Sequence, residues 1–137
     1  MNQHTYLRAY MAGIVIPTIA LLLVATGFTI ERYVYNFPLP IERVIVFPMA
    51  VVPNLWGLWN ILFIASHERT HLPIGLHGAL LPLILGPLGM LMTLLLNFTI
   101  PGFASHIFPI AAPIALIGYY LVWKYLVSSL NQILGIA

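Results

Sequence analysis

The chain has 137 residues, 61% of them hydrophobic and 6% charged, with a formal net charge of +2 and no cysteine. That composition lies far outside the soluble range and makes the chain an integral membrane protein. Without cysteine, disulfides, thiolate nucleophiles and iron–sulfur ligation are excluded, and five scattered cations give no footprint for nucleic acid.

The first uncharged stretch, Ala9 to Ile30, predicts a span near 12–30. It is too long for a signal-peptide core and Pro17 interrupts it, so it reads as a retained helix. The connection that follows holds two Glu-Arg pairs, Glu31-Arg32 and Glu42-Arg43, around an extended Pro38-Leu39-Pro40 segment. Charge at a helix end in the headgroup zone is cheap, and these pairs read as such. A second span is predicted near 44–66. The next charge-free run, Thr70 to Trp123, is too long for one helix and breaks around Asn97 to Gly102, giving spans near 74–96 and 107–127. Periodic strands are excluded because the runs are apolar all round and an open sheet would leave edges unsatisfied in lipid. The expected architecture is an all-α, four-span bundle forming a single membrane domain, 1–137. Its later spans carry prolines in pairs, Pro48 and Pro53, Pro82 and Pro87, Pro109 and Pro113, so the helices should be kinked.

Four spans place both ends of the chain and the His67 to Pro73 connection on one side. Arg8, Arg69 and Lys124 lie there, against Arg32 and Arg43 on the other, which puts the termini in the cytoplasm under the positive-inside rule. Tyr6, Tyr10, Tyr33, Tyr35, Trp123 and Tyr125 sit where interfacial anchors belong.

Projected on a helical wheel, the second span is divided. Asn54, Gly57 and Asn60 fall within about 120° on a small, amide-bearing face, and Trp56, Trp59 and Phe63 on an aromatic one. The third span carries a stripe of Gly78, Pro82, Gly86, Gly89, Thr93 and Asn97. The two small faces are expected to pack together, with Asn54, Asn60, Thr93 and Asn97 as interhelical hydrogen-bonding groups.

Residues His67-Glu68-Arg69-Thr70-His71 form an H-E-x-x-H pattern. On a helix this spacing puts two imidazoles on one face to bind Zn²⁺, with the carboxylate as general base for a metal-bound water. Over these five residues the chain resembles zincin metalloproteases. The resemblance implies His67 and His71 as zinc ligands, Glu68 as the catalytic base, and His77 in the place of the third ligand of the longer family pattern. Two departures stand against it: position 74 is Ile74 where that pattern has glycine, and the chain has no aspartate to serve as the later ligand of intramembrane zinc proteases. The same residues also read as an interfacial helix end with ordinary histidines, as do His4 and His106.

No phosphate loop, nucleophile elbow or carboxylate pair is present. The leading expectation is a non-enzymatic membrane protein acting by assembly, as an oligomeric small-solute channel or transporter or as a subunit of a membrane complex. A zinc-dependent hydrolase or a metal-binding protein using His67, Glu68, His71 and His77 is the alternative.

Overall fold

In a computed structural model, residues 4–97 and 103–136 are described, and most of them are helical, with no strand among them. The chain folds as four helices long and apolar enough to cross a membrane: Thr5–Tyr33, Ile41–Thr70, Ile74–Leu95 and His106–Ile133. The protein is thus an all-α, four-helix integral membrane protein. The first, second and fourth helices run beyond the spans expected near 12–30, 44–66 and 107–127, because backbone groups stay satisfied by continuing the helix into the headgroup zone, and the third ends within one residue of its expected span. The expected break between the third and fourth spans, Phe98 to Gly102, lies outside the described residues.

The first span is one helix, α1 (Thr5–Tyr33), with Pro17 inside it. The second begins with a short turn, α2 (Ile41–Val44), passes through a π-helical segment at Ile45–Ala50 where Phe47 is extended (φ −143°, ψ 124°), and continues as α3 (Val51–Thr70). The third divides at Leu80 into α4 (Ile74–Ala79) and α5 (Leu81–Leu95), with Pro82 in the first turn of α5 and Pro87 inside it. The fourth is α6 (Phe103–Val122), a π-helical turn at Trp123–Val127, and α7 (Ser128–Ile133). Prolines accompany irregular helix in the second and third spans, whereas Pro17, Pro109 and Pro113 lie inside continuous α-helix.

Hydroxyls within the spans satisfy themselves locally. Thr26, Thr29, Ser66, Thr70 and Ser129 each donate to the carbonyl four residues earlier, and Thr93 to the carbonyl of Met90 at 2.7 Å. α7 ends in a glycine-based cap. Gly135, at φ +69°, donates its N–H to Gln132 O, and Ile136 donates to Asn131 O, the two bonds of a Schellman motif.

Packing is confined to one half of the bundle. The buried residues come in helical steps: Ala9, Ala12, Gly13 and Pro17 from α1; Trp56, Gly57, Asn60 and Phe63 from α3; Gly75, His77, Gly78 and Leu81 from the third span; Trp123, Val127 and Asn131 from the fourth. Among the described residues none between 18 and 55 or between 82 and 122 is buried. All the core therefore lies toward the end that carries His4, the 70–74 connection and Leu134. The other half presents residues such as Leu83, Met90, Leu94, Phe108 and Ile110 outward.

Close helix approach sets this core. A Cβ on Gly13 would lie 2.6 Å from Trp56 O and 2.8 Å from Gly57 Cα, so α1 and α3 touch backbone to backbone. A Cβ on Gly78 would fall inside the Trp123 side chain, which seats the fourth span on the third.

Candidate functional site

The division of the second span into two faces is present, but their partners differ from expectation. Gly57 faces Tyr10 and Ile14 of α1, Asn54 accepts a hydrogen bond from the Tyr10 hydroxyl, and Asn60 donates to Ala9 O at 2.7 Å. The small face therefore meets α1, not the glycine stripe of the third span. The reason is steric: Gly13 on α1 opposes Gly57 and lets the backbones close, whereas the third span offers Gly78 to Trp123. Along that stripe Gly86 has nothing within 4 Å of the position a Cβ would take, and Gly89 has only the Phe47 ring at 3.6 Å. Asn54 also donates to Ala50 O at 2.6 Å, beside the irregular turn that precedes α3. Asn97 is exposed with φ +49°, a helix-end conformation that asparagine tolerates.

The aromatic face of α3 packs against the third and fourth spans. Trp56 packs on Trp123 (ring centroids 5.3 Å apart) and on Tyr119 (5.1 Å). Trp59 stacks on His77 at 4.7 Å, and Phe63 contacts both His77 (5.3 Å) and His67 (4.9 Å). The Trp123 indole N–H is buried without a hydrogen-bond partner among the described residues.

His77 is 5% exposed and is fixed by a reciprocal pair of bonds. Its Nε2 lies 2.9 Å from Trp59 O, and Trp59 Nε1 donates to His77 O at 2.8 Å. A carbonyl can only accept, so Nε2 carries the proton and Nδ1 is the nitrogen left with a lone pair. Any role for His77 as a metal ligand would have to run through Nδ1, with Nε2–H···O=C orienting the ring.

The H-E-x-x-H residues occupy the end of α3. The helix stops at Thr70, one residue earlier than the pattern asks, because Pro73 disfavours helix before it. His71 takes a left-handed conformation (φ 50°, ψ 21°) as C-cap, its N–H bonded to His67 O at 2.9 Å. His67 and Glu68 line a pocket of about 330 Å³ whose other walls are Thr5, Phe63, Ile64 and the chain at Gly135 and Ile136. His77 and His67 both touch the Phe63 ring, which links them in the contact network. Among the described residues no group of three or more His, Cys, Asp or Glu side chains gathers as a metal site. The arrangement brings His67 and Glu68 together, and leaves His71 and His77 outside the pocket's lining.

Asn131 escaped sequence reasoning. It lies beyond the predicted end of the fourth span, yet is fully buried against Asn60. The signal was its spacing, four and eight residues after the buried Val127 and Trp123.

The chain matches no protein-family model, no curated protein and no solved structure.

Proposed function

We propose that this chain is a single membrane domain that acts by assembly in the bilayer, as a protomer of an oligomeric small-solute channel or transporter or as a subunit of a larger membrane complex. The observation that carries this reading is the unequal use of glycine. Gly13, Gly57, Gly75 and Gly78 are each filled by a close neighbour, whereas the helical glycines Gly27, Gly86 and Gly118 have nothing within 4 Å of the position a Cβ would take. Glycine inside a helix costs about 1 kcal/mol relative to alanine. In lipid that cost is offset when another helix closes on the gap, since small residues are what permit helix association there. Gly86 lies on α5 beside Pro87, and Gly118 on α6, which also carries Pro109 and Pro113. Native mass spectrometry from lipid nanodiscs tests the reading. The wild type should appear as a defined oligomer or hetero-complex, and Gly86→Leu or Gly118→Leu should shift it to monomer. A wild type that is monomeric at micromolar concentration in lipid overturns it.

A second reading, zinc binding with or without hydrolysis, is favoured by one feature: His67 and Glu68 share a pocket. Its remaining ligands would come from His71 or His77 after rearrangement or from a partner subunit. Stoichiometric zinc in purified protein, lost in His67→Ala and His71→Ala and kept in Glu68→Gln, would support it. Metal-free protein from zinc-containing, chelator-free medium would end it.

A further inference from the structure

The pocket between α1, the end of α3 and the chain after α7 has a composition suited to one kind of ligand. We infer that it binds a primary ammonium group, presented by an ethanolamine lipid headgroup or by a small soluble amine.

The pocket's lining includes a single formal charge, the carboxylate of Glu68, and no Lys or Arg. The Glu68 carboxylate makes no hydrogen bond or ion pair with any other described residue, in contrast to that of Glu42, which is bonded to Arg32 at 2.8 Å. Arg8, one turn along α1 from Thr5, is not among the lining residues; its Nη1 reaches Leu134 O at 3.5 Å, next to the lining residue Gly135. An ammonium brings three N–H donors, and three polar side chains line the pocket: the Glu68 carboxylate, the Thr5 hydroxyl and the His67 imidazole. Each can accept. Phe63, Ile64 and Ile136 form the apolar part of the wall, against which the carbon chain that carries the nitrogen can lie. Glu68 lies in the last turn of α3, where the helix dipole also favours positive charge.

The volume, about 330 Å³, is ample for an ethanolamine group. A metal ion would need several protein ligands converging on one point, which the pocket does not supply among the described residues. An ammonium needs only one carboxylate and two neutral acceptors. This inference is independent of assembly through Gly86 and Gly118, neither of which lines the pocket.

The test uses the full chain in nanodiscs, with the His67 ring resonances as readout and ethanolamine as soluble probe. In phosphatidylglycerol nanodiscs ethanolamine should shift the His67 signals saturably, and Glu68→Gln should weaken that response at least tenfold while Glu31→Gln leaves it unchanged. If the lipid headgroup is the natural source, phosphatidylethanolamine nanodiscs will show the shifted signals before any amine is added; if a soluble amine is the source, the two lipids will give the same starting spectrum and ethanolamine will act in both. No saturable response in phosphatidylglycerol, together with identical spectra in the two lipids, overturns the inference. So does a Glu68→Gln response equal to wild type. Zinc retention in Glu68→Gln reports separately on the metal reading.

Discussion

Asn60 and Asn131, one on α3 and one on α7, form a reciprocal amide pair inside the bundle: Asn60 Nδ2 donates to Asn131 Oδ1 at 2.7 Å, and Asn131 Nδ2 donates back to Asn60 Oδ1 at 3.1 Å. Both side chains are fully buried, and Asn60 also bonds Ala9 O, so one residue joins three spans. The pair closes the bundle where hydrophobic attraction between helices is absent.

Replacing one member leaves the other amide orphaned in the core. Asn60→Leu or Asn131→Leu should each cost about 1–3 kcal/mol, the scale of a buried unsatisfied group. The double variant should lose less than the two singles added, with a coupling of about 0.6–1.7 kcal/mol as found for interhelical hydrogen bonds in membranes. Unfolding in mixed micelles measures all four species. Strict additivity would mean that the two amides act separately.

Glycine contacts give a second, sharper contrast. Gly78→Ala sets a methyl against the Trp123 side chain, and Gly13→Ala sets one against the α3 backbone, so each should destabilise by about 1–3 kcal/mol, as overpacking does. Gly27→Ala meets open space and should be neutral or stabilising by up to about 1 kcal/mol. Gly57→Leu and Trp56→Leu should both be disruptive: the first collides with Tyr10 and Ile14, and the second empties the contact between Trp123 and Tyr119. Thermal stability of the five variants in one detergent ranks them. Equal tolerance of Gly78→Ala and Gly27→Ala would refute the packing described.

The sequence carried the four spans and the two-faced character of the second because both follow from local composition and from a period of 3.6 residues. It did not carry which helix each face meets. Asn54, Gly57 and Asn60 could have opposed any small-residue partner, and the choice between Gly13 on α1 and Gly86 on α5 depends on tertiary geometry. His77 was legible as the third-ligand position of the longer zincin pattern; that its Nε2 is taken up by the main chain of Trp59 was not, since every residue offers a carbonyl. The H-E-x-x-H pattern placed His67 and Glu68 together, whereas the left-handed cap at His71 follows from helix termination ahead of Pro73, which a spacing rule ignores.

His77 supplies a third prediction. Since Nε2 donates to Trp59 O, the neutral ring should show a protonated Nε2 and an unprotonated Nδ1 in nitrogen NMR. His77→Phe keeps an aromatic ring against Trp59 and Phe63 but removes the hydrogen bond to Trp59 O, and should cost about 1 kcal/mol. His77→Ala also vacates the ring volume between Trp59, Phe63 and Trp123 and should cost about 3–5 kcal/mol. A protonated Nδ1 with a bare Nε2 would contradict the bond to Trp59.

The last prediction concerns the map of the chain across the membrane. Because the first and fourth spans both pack their terminal halves around Asn60, and Arg8 reaches Leu134 O, His4 and Gly135 belong to one face of the membrane together with Thr70. Pro38 lies between the first and second spans and belongs to the other. The chain has no native cysteine, so single cysteines at positions 4, 38, 70 and 135 can be probed in sealed vesicles with an impermeant thiol reagent. Positions 4, 70 and 135 should label alike and position 38 oppositely, with the first three expected to react from the cytoplasmic side from the excess of Arg8, Arg69 and Lys124 over Arg32 and Arg43. Labelling of 38 and 70 from the same side would contradict a second span that crosses the bilayer. Labelling of 4, 70 and 135 from outside would keep the four spans and reverse the orientation, which would place the Glu68 pocket at the outer surface.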